Sequence, residues 1–125
     1  MSSIVDSASI EQVLHGEDDT VLALPGEPIV NIDAVTARRK VTSYIGREIN
    51  LMMGGTEAAL VYSKGRLVWR VPVILTSPFR GQLGVVGVVD VDTRTGELLL
   101  PANLETTLRT AAHALLEDSP NPPKS

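Results

Sequence analysis

Three carboxylates lie close to one another in the sequence and could bind a metal ion: Asp90, Asp92 and Glu97. Alternating oxygen ligands hold Ca²⁺ in an EF-hand loop, which also needs Gly at its sixth position and an acidic residue at its twelfth. Counted from Asp90, those positions are Thr95 and Pro101, so this loop is excluded. We interpret the group as the polar end of a strand followed by a turn, with a weak ion site as the alternative.

Other catalytic and metal chemistry has little support in the sequence. The chain has no cysteine and only two histidines, His15 and His113, which do not form a His-x-x-x-His pair, so a zinc site is not indicated. His113 precedes Glu117 by four residues, a spacing that predicts a pair within one helix. Serines are present, but the Gly-x-Ser-x-Gly motif is missing. The sequence therefore predicts no catalytic, cofactor-binding or metal-binding residues.

Composition narrows the classes of partner. The 125 residues are 43% hydrophobic and 3% aromatic, and the net charge is −4, which argues against a surface for nucleic acid. Arg38, Arg39, Lys40 and Arg47 form the one basic cluster; we interpret it as a solvated helix face, with a nucleic-acid accessory role as the alternative. No apolar run reaches the roughly 18 residues of a membrane span, and the N-terminus lacks the pattern of a secretory signal. We therefore expect a cytoplasmic protein without membrane contact.

Two amphipathic helices are predicted. Ala34, Ala37, Val41 and Ile45 recur at spacings of three and four, which predicts a helix over about 34–46. Asn31 or Asp33 can cap its start, and Gly46 is a natural end because it tolerates the left-handed conformation. A second apolar stripe predicts a C-terminal helix over about 104–117; its members are Leu104, Leu108, Ala111 or Ala112, and Leu115.

The strands are expected between these helices. Residues 48–53 alternate as a short strand that Gly54-Gly55 would end, with continuation of the preceding helix as the alternative. Residues 58–62 and 67–71 form a hairpin around a Gly-containing link. Pro72 lacks an N–H, so its strand needs an edge or a bulge there. After a loop over 76–82, we expect a strand over 84–92, a turn over 93–96 and a last strand over 97–100. Residues 20–24 could add a short strand.

This order predicts an α+β domain. We expect a mainly antiparallel sheet of three to five strands, packed by the helices near 34–46 and 104–117. Residues 1–30 are predicted to be a partly ordered N-terminal arm, residues 31–118 a single domain, and residues 119–125 a disordered tail.

The strand over 84–92 has apolar residues on both faces at its beginning. Strict alternation puts Val85, Val89 and Val91 on one face and Val86 and Val88 on the other. A sheet open to water on one side should show apolar residues on one face only. We therefore expect the C-terminal helix, the N-terminal arm or another subunit to cover Val86 and Val88.

Residues 33–100 resemble the PepSY-like domains, small α+β modules with a helix packed on an antiparallel sheet. The resemblance lies in the helix from Asp33 to Ile45, the strand Leu67-Val68-Trp69-Arg70-Val71, and the segment Val89-Asp90-Val91-Asp92-Thr93-Arg94-Thr95-Gly96-Glu97-Leu98. It implies a non-enzymatic regulatory or inhibitory module that contacts another protein, and it implies no catalytic residues.

Two functions follow as hypotheses. The first is a non-enzymatic protein-binding module that regulates or scaffolds a partner protein and associates with itself, as a homodimer, with an interface drawn from Trp69, Val86, Val88, Arg38 and Arg39. The alternative is a small-molecule sensor or enzyme with a pocket between sheet and helix. Its polar groups would be Arg70, Asp90, Asp92 and Arg94. Trp69 could equally be a core residue.

Overall fold

The computed structural model describes Thr20–Val21 and residues 31–118. The elements in chain order are β1 (Thr20–Val21), α1 (Ala34–Glu48), β2 (Met53–Gly55), β3 (Ala59–Ser63), β4 (Arg66–Ser77), β5 (Gly81–Asp92), β6 (Leu98–Leu99) and α2 (Leu104–Asp118). The strands form one antiparallel sheet in the order β1-β3-β4-β5-β6, and β2 pairs with β4 beyond the end of β3. The predicted α+β class, with a mainly antiparallel sheet and two flanking helices, is confirmed.

Helix α1 begins where the sequence predicts. The carboxylate of Asp33 accepts a hydrogen bond from the backbone N–H of Thr36 at 2.8 Å, which satisfies one of the free donors of the first turn. Ala37, Val41 and Ile45 are fully buried on the predicted stripe. The helix is therefore held to the sheet by three side chains, one per turn.

The end of α1 differs from the prediction. The helix continues through Gly46 to Glu48, and the carbonyl of Ile45 accepts bonds from Ile49 and Asn50. The strand predicted over 48–53 is wrong, because strand β2 begins only at Met53 and includes Gly54 and Gly55. These two glycines allow the strand to lie directly under α1 rather than interrupting it.

The β3–β4 hairpin turns over two residues. Lys64 and Gly65 have φ values of 53° and 76°, the left-handed pair that a tight hairpin turn requires, and Ser63 pairs with Arg66. Further along β4, Pro72 lies opposite the link between β2 and β3, where neither strand pairs with β4. Its carbonyl accepts a hydrogen bond from the backbone N–H of Thr56 in that link at 2.8 Å. Pro72 therefore occupies the local edge that its missing N–H requires.

Strand β5 carries two irregularities in its pairing with β4. Val73 pairs with Gly87 and Ile74 with Val85, so Val86 is an extra residue; a second shift leaves Leu83 extra. A bulge of this kind changes which side chains share a face. The prediction that Val86 and Val88 share a face is therefore wrong. Val86 lies with the helix-side core, whereas Val88 pairs with Pro72 on the opposite face.

Both helices pack on the same face of the sheet. A Cβ atom at Gly55 would meet Thr42 of α1, and one at Gly87 would meet Leu108 of α2; both glycines pair with Val73 and therefore point the same way. The core between the layers is aliphatic apart from one indole. Its buried members are Ala37, Val41, Ile45, Met53, Leu60, Trp69, Val71, Val73, Leu75, Val86, Val89, Val91, Leu104, Leu108 and Ala112.

The opposite face of β3 and β4 is also closed to solvent. Val61 and Val68 are at most 1% exposed and Ile74 is 8% exposed, although both described helices lie on the other side. The predictions of an N-terminal arm over residues 1–30 and a tail over 119–125 fall outside the described residues, apart from β1. Of the helices described, neither has the length and apolar character needed to cross a membrane.

Candidate interaction surfaces

Arg70 and Asp90 form a buried ion pair on the face opposite the helices. Their positions are paired across β4 and β5, and the guanidinium donates from Nε and Nη2 to the two carboxylate oxygens at 2.7 and 2.8 Å. The side chains are 9% and 20% exposed. This two-point geometry fixes both groups, so Asp90 acts as a structural partner of Arg70 within the sheet.

Asp92 organises the turn that follows β5. Its Oδ1 accepts from the backbone N–H groups of Thr95 and Arg94 at 3.0 and 2.8 Å. These two bonds hold the pKa of the Asp92 carboxyl below its ordinary value of 3.8, and the nearby Arg66 guanidinium lowers it further. Gly96, with φ 77°, completes the turn by donating to the Asp92 carbonyl. The DxxTG sequence is thus explained by local backbone bonding.

The turn also anchors the start of α1. The backbone N–H of Asn31 donates to the Thr93 carbonyl at 2.9 Å, and its side-chain amide donates to the Arg94 carbonyl at 3.0 Å. Of the four residues of the expected polar pocket, the structure brings Arg70 and Asp90 together and places Asp92 and Arg94 in this turn. Arg94 is exposed there.

The five residues of the expected interface lie in different places. Trp69 is 4% exposed within the core, where its indole N–H donates to the Ile32 carbonyl at 2.9 Å, so the core alternative describes it. Val86 is also a core residue, and Val88 is half-buried on the opposite face. Arg38 and Arg39 are exposed on α1, and Arg38 donates to the Gly55 carbonyl.

A cluster of exposed apolar side chains lies at one end of the sheet, which we call the apolar tip. It comprises Leu51, Met52, Pro78 and Phe79, of which Leu51 is 89% exposed, Met52 48% and Phe79 94%. The turn that precedes β2 and the turn that follows β4 lie at this end because the two strands pair, and Thr76 of β4 donates to the Met52 carbonyl at 2.8 Å. Sequence patterns do not predict this surface, because they place Leu51 in a strand and Phe79 in a loop.

The apolar tip borders a groove of about 430 Å³ between α1 and the ends of β2 and β4. Leu51, Met52 and Pro78 belong to its wall. The other lining residues are Thr42, Met53, Gly54, Gly55, Ile74 and Thr76. Exposed Met and Phe beside an apolar groove are typical of a surface that another molecule covers.

A second groove, of about 500 Å³, runs along the opposite side of α1, and we call it the cationic groove. Arg39, Lys40 and Arg47 line it together with Tyr44. Thr36, Ser43 and Leu98 complete its lining. Among the residues that the structure describes, the only one of these three cations in an ion pair is Arg47, which contacts its neighbour Glu48.

The remaining ionisable residues are surface groups on α2. His113 contacts Glu117 at 3.0 Å, as predicted, and Arg109 pairs with Glu105. Within the described part of the chain, no three His, Cys, Asp or Glu side chains are close enough to hold a metal ion. Comparisons with protein-family models, with curated proteins and with solved structures find no match to this chain.

Proposed function

We propose that the protein is a non-enzymatic binding module that regulates or scaffolds a partner protein and associates with itself, and that it works in the cytoplasm. The observation that supports this proposal is the apolar tip. Leu51 and Phe79, at 89% and 94%, are the two most exposed large hydrophobic residues in the part of the chain that the structure describes. Exposing two such side chains at the same end of the sheet is unfavourable in water, and a bound partner would remove that cost.

The groove beside the apolar tip supports the same function. A partner side chain can enter between α1 and the end of β4, where Leu51 and Met52 offer apolar contact. Such an anchor in a concave apolar site is the usual centre of a binding hot spot. The resemblance to PepSY-like domains agrees with a regulatory module that contacts another protein.

The experiment replaces the tip and measures what the protein retains. In the native host, we expect affinity-tagged wild-type protein to retain a partner in near-stoichiometric amount, and Leu51→Ser/Phe79→Ser to lose it. The variant should fold normally because both side chains are exposed. Leu116→Ser, at a 48% exposed leucine on α2, serves as the control and should retain the partner.

A photo-crosslinking residue sharpens the result. Placed at Phe79, it should give one discrete crosslinked product; placed at Thr106, which is exposed on α2, it should give none. Equal retention by the wild type and by Leu51→Ser/Phe79→Ser would rule out the apolar tip as the docking surface. Absence of any retained protein would count against a binding module.

A further inference from the structure

We infer that the cationic groove receives the acidic segment Glu17-Asp18-Asp19 of a second copy of this chain. The inference rests on the self-association proposed above, and it uses a different surface from the apolar tip. The groove contributes the basic side, through Arg39, Lys40 and Arg47. The chain's own N-terminal region contributes the acidic side.

Charge is divided unevenly along the chain. Six of the 15 acidic residues and none of the 11 basic residues lie within residues 1–30, and three of those six are the consecutive Glu17, Asp18 and Asp19. The cationic groove is the complementary feature in the described residues, since Arg39 and Lys40 are exposed on α1 without an ion-pair partner there. Complementary patches of this kind select partners and set their orientation.

The groove is also the right size for a short peptide. Its volume of about 500 Å³ falls within the ~300–1,000 Å³ typical of ligand sites. Tyr44 and Leu98 offer apolar surface beside the cations, and Thr36 and Ser43 offer hydroxyl groups for hydrogen bonds. Arginine is suited to this role because its planar guanidinium can bind a carboxylate through two parallel hydrogen bonds.

Sheet geometry indicates that the segment comes from another copy. Thr20 lies in β1 at the β3 edge of the sheet, whereas Leu98 of the groove lies in β6 at the other edge. Four strand steps at ~4.8 Å separate these edges by about 19 Å. The three residues from Thr20 back to Glu17 span at most about 11 Å. The backbone of the acidic segment therefore falls short of Leu98 in its own chain, whereas a second copy can present the segment without that limit.

Charge exchange between two variants tests the inference. The wild type should self-associate at low salt in sedimentation velocity. In Arg39→Glu/Lys40→Glu, the groove and the N-terminal segment are both acidic. In Glu17→Lys/Asp18→Lys/Asp19→Lys, both are basic. Each variant alone should therefore self-associate at least about tenfold more weakly than the wild type. Mixing the two variants restores opposite charges in both directions, and the mixture should form a complex.

Two controls separate this contact from general charge effects. Lys64→Glu/Arg94→Glu makes the same change in net charge at two exposed residues outside the groove and should associate like the wild type. Raising the salt from 0.1 M to 1 M shortens the Debye length from about 10 Å to about 3 Å and should dissociate the wild-type complex.

Three outcomes would overturn the inference: a wild type that stays monomeric at low salt, a groove variant that associates like the wild type, or variants that fail to combine when mixed. The apolar tip is unchanged in all of these proteins. Self-association that persists in Leu51→Ser/Phe79→Ser but is lost in the groove variants would therefore support the groove and leave partner docking at the tip as a separate result.

Discussion

Adding a single methyl group at Gly55 should lower the stability of the protein substantially. A Cβ atom there would lie 2.7 Å from Val71 Cγ1 and 3.3 Å from both the Arg38 carbonyl oxygen and Thr42 Oγ1. Carbon atoms in favourable contact are about 3.5–4.0 Å apart, so the methyl group of Gly55→Ala has no room. The Val71 side chain on β4 would have to shift, and helix α1, which provides the other two contacts, would have to move slightly away from strand β2.

The cost of that movement can be worked out from the structure. Overpacking of this kind costs about 1–3 kcal/mol. The movement also strains two hydrogen bonds that join α1 to Gly55, from its N–H to Thr42 Oγ1 at 2.9 Å and from Arg38 Nε to its carbonyl at 3.1 Å. Alanine restricts the unfolded chain, which returns about 0.4–1 kcal/mol. We expect Gly55→Ala to lower the free energy of unfolding by about 1–3 kcal/mol.

The neighbouring glycine is a matched control. A Cβ at Gly54 would lie 3.4 Å from Thr42 Cγ2, which is ordinary contact, so Gly54→Ala should change the free energy of unfolding by less than about 1 kcal/mol. Urea titration followed by the fluorescence of Trp69, the one tryptophan and a buried one, measures both variants.

A double-mutant cycle identifies the clash. Val71→Ala removes the atom at 2.7 Å, so Gly55→Ala should cost less in that background than in the wild type. Equal costs for Gly54→Ala and Gly55→Ala would contradict this explanation, because they would show that a methyl group at Gly55 collides with neither Val71 nor α1.

The remaining predictions concern the two strand carboxylates. Asp90→Ala removes a two-point carboxylate partner from the 9% exposed Arg70 and should cost more than about 1 kcal/mol in urea titration, whereas Glu105→Ala, in an exposed pair, should cost less than about 1 kcal/mol; similar costs would contradict a structural role for the buried pair. Because the pKa of folded Asp92 lies below 3.8, its stabilising contribution is present above pH 3.8 and is lost as the pH falls through the folded pKa. Asp92→Asn should therefore be less stable than the wild type at pH 7, and the gap should narrow below pH 3.8; a gap independent of pH would contradict this.

Local signals were sufficient for most of the fold. The stripe of Ala37, Val41 and Ile45 predicted α1, and the Asp33 cap fixed its start. The turn at Lys64 and Gly65 needs two left-handed residues, which a Gly-containing link indicates directly. These features depend on residues within a few positions of one another, and one sequence contains that information.

Features set by contacts distant in sequence were not predictable in the same way. The bulge at Val86 depends on the register between β4 and β5 and on the close approach of Leu108 to Gly87, which lies 21 positions earlier. Gly87 was the available signal, because a glycine inside a strand often marks a bulge or a close neighbour. Gly54 and Gly55 indicated an interruption for the same reason, yet their actual role is to admit α1.

The apolar tip and the cationic groove also depend on contacts between residues distant in sequence. The sequence placed Arg39 and Lys40 on an exposed helix face, but a groove forms only because Leu98 of β6 lies beside them. The apolar tip requires the turn before β2 to lie at the same end as the turn after β4, which depends on the pairing of these two strands. In the sequence, this surface is indicated by a phenylalanine in an expected loop, between Pro78 and Arg80.

The positions of both surfaces follow from how tightly the helices pack. Gly55 and Gly87 bring α1 and α2 so close to the sheet that a side chain at either position would collide with its neighbour. The interior between the layers is therefore occupied by aliphatic side chains. Binding sites in such a domain must lie where a helix ends or where its outer side meets a strand, and the apolar tip and the cationic groove occupy those two kinds of position on α1.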